Sequence, residues 1–325
     1  MERNSAKIRS ALTFRFYFAL LAASTLGAQT DADRDGIDDA LEQRLLVEFA
    51  PTLILSAQEC DGLPAEFRAD AARPEVVARN GTIYGRVSPH GPRTLEAHYY
   101  HLWSRDCGRF GHDLDVEHVS ALLTENDGRW RADSWYAAAH ENTVCDASSI
   151  APARALDARD KGPRIWVSRG KHASFFSKGA CQWGCGGDVC DRGQHFRPVQ
   201  IVNLGEAGAP LNGATWADSS QWPLAVKFRS DFTPERLALV SNSRGPAAVN
   251  AHLRPAQSIV LAGDSTADAL ELSGAKTDSA LNRAADETGG ALDTAASATG
   301  KALGKAYSNT RKFLGFKDKG QKPPN

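Results

Sequence analysis

The protein has 325 residues, of which 38 are Lys or Arg and 39 are Asp or Glu, giving a formal net charge of −1. This balance argues against nucleic acid as a partner, and the length predicts one domain of about 200 residues with attached segments. Residues 1–28 run from basic side chains through an apolar stretch to small residues, which predicts a signal peptide and a secreted, periplasmic or extracellular protein. A retained membrane anchor is the alternative, because Arg15 interrupts the apolar stretch.

Residues 29–50 are predicted to form an acidic loop followed by one helix over 38–49, with leucines on one helical face. The loop matches the EF-hand pattern of a turn glycine among carboxylates, and the predicted Ca²⁺ ligands are Asp31, Asp33, Asp35, Asp39 and Glu42. The alternative is that the Asp residues only stabilise the positive N-terminus of the helix.

Residues 51–245 are predicted to form the main domain, an all-β fold with a β-sandwich core. Apolar and β-branched stretches bounded by Gly, Asp and Pro indicate strands at 52–55, 82–87, 94–103, 116–124, 130–140, 164–168 and 199–204. Many strands with few helices between them favour a sandwich over an α/β sheet.

The connection between the strands at 94–103 and 116–124 is rich in side chains that bind metals. Asp115 and Glu117 are two residues apart on a strand and therefore point to one face, while Asp106 and His112 lie in the adjoining bend. Carboxylates this close repel each other unless a cation or proton lies between them. The four residues are predicted ligands of Mg²⁺, Ca²⁺ or Mn²⁺; the alternative is ordinary solvated turn residues.

The stretch Gly-His-Asp-Leu-Asp-Val-Glu at 111–117 resembles the heptapeptide Gly-His-Arg-His-Asp-Trp-Glu of the necrosis- and ethylene-inducing protein-like (NLP) family. Asp106 is similar to that family's metal-binding Asp. Residues 115–119 and 167–173 resemble the vacuolar-sorting-associated protein sixty-two family. The resemblance implies a β-sandwich whose divalent cation keeps positions open for a partner. It also points to His140, which lies where NLP proteins have a functional His, and to His172, in a Gly-Lys-His-Ala turn similar to one in the second family.

Three functions fit these features. The first is an exported metal-binding protein that recognises a surface lipid or glycan. The second is a metal-dependent hydrolase, with His140, His118 or His172 as catalytic candidates. The third is a structural envelope protein. Binding is preferred over hydrolysis because the sequence has no nucleophile motif of known type.

The six cysteines, Cys60, Cys107, Cys145, Cys181, Cys185 and Cys190, are predicted to be oxidised in an exported protein. A bridge between Cys107 and Cys145 would link the two strands that carry the metal ligands. One local bridge is expected within 181–190, with the remaining cysteine reaching Cys60. Zinc bound by the cluster at 181–190 is the alternative.

Residues 246–325 form a low-complexity tail in which leucines recur every 11 residues, from Leu270 to Leu314. Eleven residues make three helical turns, so the repeat predicts a helical or disordered segment outside the sandwich. Basic and aromatic residues near its end suit an anionic membrane surface. A soluble spacer without a partner is the alternative.

Overall fold

A computed structural model of the protein describes residues 30–69, 71, 73–108, 111–191, 193–205, 224 and 227–262. The predicted signal peptide and the 11-residue repeats lie outside the described residues. In the described part of the chain, no helix is both long enough and apolar enough to cross a membrane.

Thirteen strands are described, and they belong to three sheets. In chain order they are β1 (Thr52–Leu55), β2 (Glu66–Phe67), β3 (Val76–Ala78), β4 (Ile83–Gly91), β5 (Thr94–Arg105), β6 (Asp113–Asn126), β7 (Arg129–Ala137), β8 (Ser149–Pro152), β9 (Arg164–Val167), β10 (Ser174–Phe175), β11 (Gln194–Phe196), β12 (Ile201–Asn203) and β13 (Ala247–Ala248). The helices are α1 (Asp39–Glu48), α2 (Lys178–Gln182) and α3 (Pro234–Val240), with a 3₁₀ turn at Ala153–Leu156. Residues 255–262 are also helical.

The largest sheet has seven strands in the order β12-β4-β5-β6-β7-β8-β13. The five from β4 to β8 form an antiparallel meander, while β12 pairs with β4 in parallel. A four-stranded sheet has the order β10-β9-β1-β11, and β2 and β3 form a separate ribbon. Neither large sheet closes on itself, so both leave open edges.

The main hydrophobic cluster contains side chains from both large sheets and from α1. On β6 it takes alternate residues, Val119, Ala121 and Leu123, so this inner face of the strand points towards the four-stranded sheet. The outer face carries Val116, His118 and Ser120. It is covered by the ribbon and by the segment that contains residues 227–240, as the clusters around Tyr100 and Tyr136 show.

The prediction of a mostly β fold preceded by one helix is confirmed. Asp38 caps α1 by accepting a hydrogen bond from the Leu41 amide at 3.2 Å. Helices α2 and α3 were not predicted, because each is too short to show a periodic apolar pattern. Packing continues beyond residue 245: β13 pairs with β8, and the buried Gln257 amide donates to the carbonyls of Ala147 and Ala180.

The prediction that all six cysteines are oxidised is confirmed, but two of the predicted pairings are wrong. The bridges are Cys60–Cys107, Cys145–Cys185 and Cys181–Cys190. Only the last is the expected local bridge. Cys107 cannot form a disulfide with Cys145, because Cys107 is already bonded to Cys60, which follows β1 of the four-stranded sheet. All three cysteines of 181–190 are bridged, so none remains as a thiolate for zinc.

Candidate functional site

The inner face of β6 is acidic near the start of the strand and apolar from Val119 onwards. Asp115 and Glu117 share this face with Val119, and they pair across the sheet with Trp103 and His101. Both carboxylates are buried, with 8% and 5% of their surface exposed. Burying two acids side by side is costly unless each finds compensating charge, so their partners define the site.

The partner of Asp115 is His172, which comes from the turn after β9. Its Nδ1 lies 2.8 Å from Asp115 Oδ2, and its Nε2 lies 3.2 Å from Glu59 Oε1. Burial opposes the charged imidazole, but the hydrogen bonds to Asp115 and Glu59 outweigh that effect and raise the pKa of His172 to about 9. The residue is therefore a buried cation that joins the two sheets at the site.

Glu117 is less well compensated. The Lys227 ammonium lies 3.7 Å from its Oε2, and this oxygen accepts no hydrogen bond from the described residues. Burial, and to a smaller degree the charge of Asp115, raise the pKa of Glu117 to about 7 against the opposing effect of Lys227. The carboxylate thus keeps an unused oxygen in a place that favours a cation or a proton.

A second charged group borders this position, formed by His140, Asp188 and Lys171. His140 Nε2 lies 2.9 Å from Asp188 Oδ1, and Lys171 Nζ lies 3.4 Å from the same oxygen. Burial lowers the pKa of His140, but the hydrogen bond and charge of Asp188, helped by Glu117, raise it above its usual value. The acidic side chains of the site therefore each have a basic side chain as a neighbour.

The two other predicted ligands lie at the surface beside this region. His112 is exposed, and its Nε2 lies 4.0 Å from Asp106 Oδ2. Asp106 accepts a hydrogen bond from the Gly108 amide in a tight bend. A Cβ at Gly111 would approach the Asp106 carbonyl oxygen to 2.4 Å, so this bend requires glycine there.

The structure therefore pairs Asp106 with His112 and Asp115 with His172, and places Glu117 beside Lys227. In the described part of the chain, the four predicted ligands do not form a group whose ligand atoms all lie within 4.8 Å of one another. The donor set of carboxylates with one imidazole does fit a hard divalent cation, and the unused Glu117 oxygen offers a ligand. The metal assignment stays a prediction.

The acidic loop does bring three of its predicted ligands together. Asp31, Asp33 and Asp35 have ligand atoms within 4.8 Å of one another. The Asp31 carboxylate accepts hydrogen bonds from the amides of Asp35 and Gly36, both at 3.1 Å. The other two are directed elsewhere: Asp39 accepts from the Ala32 amide, and the buried Glu42 accepts from the Asn203 side chain. Calcium binding here also stays a prediction.

The three histidines proposed as catalytic candidates occupy different surroundings. His140 and His172 border the site on the inner face, as described above. His118 lies on the outer face of β6, is 1% exposed, and contacts Asp231 Oδ2 at 2.9 Å through Nε2. It is therefore separated from Asp115 and Glu117 by the strand itself.

Sequence reasoning missed Glu59, Asp188, Lys227 and Asp231. Each is brought in from a distant part of the chain: Glu59 reaches His172 across 113 positions, and Asp231 reaches His118 across the same number. No local pattern marks them, and only the acidic character of β6 indicated that partner cations were needed.

No protein-family model matches the chain, and no curated protein matches it. Similar solved structures include NLPPya in complex with glucosamine, at 18% identity over 54% of this chain and 74% of that chain with a TM-score of 0.33. Another is Necrosis and Ethylene inducing Protein 2 from the causal agent of cocoa's Witches Broom disease, at 16% identity over 55% and 83% with a TM-score of 0.31. The non-toxic HaNLP3 protein has 14% identity over 52% and 75% with a TM-score of 0.31. The resemblance to the vacuolar-sorting family stays a prediction. This chain is thus similar, distantly and over about half of its length, to solved structures of necrosis- and ethylene-inducing proteins.

Proposed function

We propose that the protein is an exported, cation-dependent binding protein whose β-sandwich presents a divalent ion to a glycan or lipid head group. The observation that carries the proposal is the pair Asp115 and Glu117, buried side by side with one Glu117 oxygen left without a hydrogen bond. A divalent cation would compensate both charges, and Asp106 and His112 would complete its protein ligands at the surface. Export is supported by the three disulfides, which persist in oxidising compartments.

A partner would reach the ion from the side of His112, which is exposed. Ions such as Ca²⁺ accept sugar hydroxyls or phosphate oxygens in place of water. Trp183 ends α2, two residues before Cys185, and is 55% exposed. An exposed aromatic ring suits the apolar face of a sugar, which favours a glycan over a lipid head group.

Binding is preferred to hydrolysis because of the state of His140. Asp188 raises its pKa despite burial, so the imidazole holds a proton more readily than a free histidine. A general base for a metal-bound water works best when it is unprotonated near the working pH. His140 is therefore better suited to stabilise negative charge than to accept a proton.

The first test is calorimetric titration of Ca²⁺, Mg²⁺ and Mn²⁺ into the metal-stripped protein. Binding at the inner-face site is expected in addition to binding at the acidic loop, and Asp115→Asn and Glu117→Gln should each weaken the inner-face binding at least about tenfold, since carboxylates supply most of the attraction. The matched control is Asp157→Asn, because the Asp157 side chain is 93% exposed. The backbone of Asp157 is in the left-handed helical conformation, which Asn also adopts readily. Equal cation affinity in wild type and both site variants would contradict the proposal.

The second test is a glycan array and a set of lipid vesicles, each probed with and without chelator. Cation-dependent glycan binding that is lost in Trp183→Ala supports the glycan assignment, whereas cation-dependent vesicle binding assigns a head group instead. Cation-dependent turnover of a bound glycan, lost in His140→Asn, would establish the hydrolase. Cation binding that raises the melting temperature with no partner on either array would establish a structural role.

The C-terminal repeats, which lie outside the described residues, are proposed to contact anionic membrane. The support is compositional: Lys301, Lys305, Arg311, Lys312 and Lys317 accompany Tyr307, Phe313 and Phe316 near the chain end. The full chain should sediment with phosphatidylserine vesicles at low salt, and a chain that ends at residue 262 should not. Equal sedimentation of both chains would show that the repeats do not bind the membrane and would favour a soluble spacer.

A further inference from the structure

A second cluster of ligand-type side chains lies on the outer face of β5 and β6. It contains His98 and His118, which project from neighbouring strands, and Asp231, from the segment that covers this face. The ligand atoms of the three residues all lie within 4.8 Å of one another. All three are buried, with 3%, 1% and 1% of their surface exposed. Two imidazoles and a carboxylate form a different donor set from the oxygen-rich site on the inner face.

The spacing of these atoms fits one small ion. His118 Nε2 lies 2.9 Å from Asp231 Oδ2, and His98 Nδ1 lies 3.4 Å from the same oxygen. Ligands about 2.0–2.1 Å from a tetrahedral Zn²⁺ are separated from one another by about 3.3 Å. Both separations from Asp231 Oδ2 are close to that value, so little movement of these side chains is needed to enclose an ion.

The orientation of His98 supplies an independent observation. Its Nε2 lies 3.1 Å from Glu96 Oε2, so the Nε2 hydrogen is directed to that carboxylate. Glu96 is itself held by the Asp231 amide at 3.1 Å and by the Ser230 hydroxyl. His98 Nδ1 is buried, faces Asp231, and has no hydrogen-bond partner among the described residues. A ring nitrogen that faces a carboxylate oxygen at 3.4 Å needs a positive charge between them, which either a proton or a metal ion supplies.

We propose that His98 Nδ1, His118 Nε2 and Asp231 Oδ2 bind a divalent transition metal of the Zn²⁺ class. Glu96 orients His98 by accepting the hydrogen of its other ring nitrogen, which is the usual support for a metal-bound imidazole. The Ser120 hydroxyl, 2.6 Å from Asp231 Oδ2, fixes the carboxylate, and Arg236 holds its second oxygen at 3.1 Å. Imidazole nitrogens favour Zn²⁺ over the hard cations expected on the inner face.

The consequence is that the covering segment is attached to the sheet through the ion. His118 and Asp231 are 113 positions apart, and the ion joins them directly. The ligands are buried, so the ion enters as the chain folds and leaves only when residues 227–240 lift from the sheet. Its release into a chelator is therefore slow compared with release of the cation from the inner-face site.

The test uses the full chain, secreted into medium that contains zinc and then desalted. Elemental analysis should find one equivalent of zinc, and X-ray absorption at the zinc edge should show two imidazole ligands. His118→Gln keeps a side-chain donor close to the position of Nε2 but should retain less than about a tenth of the zinc. Glu96→Gln should lower zinc affinity about 10–100-fold.

Two controls separate this site from others. His101→Gln changes a histidine that is also buried on β5 but contacts Ser174 instead, and it should leave the zinc content unchanged. The double variant Asp115→Asn, Glu117→Gln should also keep its zinc, so the two sites fail independently. Wild-type protein without zinc, or zinc with fewer than two imidazoles, overturns the proposal whether or not the variants fold. A proton shared between His98 and Asp231 would then account for the geometry.

Discussion

The imidazole of His172 lies flat on the indole of Trp103, with ring centroids 3.9 Å apart and ring planes 7° apart. The same imidazole is bonded at both nitrogens to carboxylates, Asp115 and Glu59. A protonated imidazole against an aromatic face gains a further electrostatic attraction. This arrangement makes the folding stability of the protein depend on the charge of His172.

The first prediction follows from the raised pKa of His172. Because the folded-state pKa is about 9 and the ordinary value is 6.5, its contribution to stability is fully present below pH 6.5 and is lost as pH rises through 9. That difference corresponds to about 3 kcal/mol at most. Urea unfolding of the full chain in chelator should therefore show stability falling between these pH values.

His172→Gln should flatten that decrease, whereas His195→Gln, at an exposed position, should leave it unchanged. Part of the decrease should survive in His172→Gln, because in the metal-free protein Asp231 and Glu96 outweigh burial and raise the pKa of His98 to about 9 as well. An unaltered pH profile in His172→Gln would show that the imidazole is not charged in the folded protein.

The second prediction concerns Glu117, whose pKa is raised to about 7, chiefly by burial. A carboxyl group with a raised folded-state pKa favours folding while it is protonated, so stability is lost as pH rises from 4.5 through 7. In chelator, Glu117→Gln should therefore be more stable than wild type at pH 8 and similar to it at pH 4. With saturating calcium at pH 8, wild type should instead be more stable than Glu117→Gln, because only wild type keeps the carboxylate that binds the ion.

Glu75→Gln is the control for this comparison, since Glu75 is 55% exposed and pairs with Arg68 at the surface. It should change stability by less than about 1 kcal/mol at every pH. If Glu117→Gln behaves like this control with and without calcium, the carboxylate is neither strained nor a ligand.

The third prediction concerns the bridge between Cys60 and Cys107, which encloses 47 positions. Loop-closure entropy gives about 4 kcal/mol for a loop of this length. The double variant Cys60→Ser, Cys107→Ser should lose about that much and should also bind the inner-face cation more weakly, because Cys107 directly follows Asp106, the first of the predicted ligands. Removing Cys181 and Cys190, which are 9 positions apart, should cost about 2.5 kcal/mol and leave cation affinity unchanged.

Peptide mapping without reduction checks the pairing on which this comparison depends. Fragments that join Cys60 to Cys107 and Cys145 to Cys185 are expected. A fragment joining Cys107 to Cys145 would restore the pairing expected from the sequence.

The fourth prediction concerns the acidic loop before α1. Mutual repulsion among Asp31, Asp33 and Asp35 should be relieved by calcium, since burial and the two neighbouring charges raise the pKa of Asp35. Calcium should slow proteolysis within residues 30–38, and Asp31→Asn with Asp35→Asn should remove that protection. Asp127→Asn, in the turn after β6, is the control. Cleavage that is equally fast with calcium and with chelator would leave the Asp residues only their role at the helix N-terminus.

Much of the fold follows from local pattern, because β5 and β6 alternate clearly and bear the aromatic and branched residues typical of strands. The predicted span 116–124 fell short of β6 at both ends, since Asp113 and Asn126 belong to the strand through backbone pairing alone. Helix α3 gave no periodic signal, yet it carries Arg236, which contacts Asp231 and Glu141. The acidic residues of the site could be found from the sequence because they are neighbours on one strand.

The compensating residues could not be found in the same way. Lys227 reaches Glu117 from the segment that covers the outer face, and Glu59 reaches His172 from the loop after β1. Both contacts depend on how distant parts of the chain pack together. Disulfide pairing failed for the same reason: spacing along the chain does not show that Cys60 follows a strand of the opposite sheet.

The alternation of side chains on β6 places Asp115 and Glu117 on one face and His118 and Ser120 on the other. Insertion or deletion of one residue at the start of this strand would therefore turn the acids towards Asp231 and the histidine towards His172. The two faces would lose their partners in one genetic event. We therefore expect that inserting or deleting a residue between Asp106 and Ser120 disrupts both sites. Insertions in the turn at Asp127 and Gly128 should be accepted, because that turn follows both sites on β6.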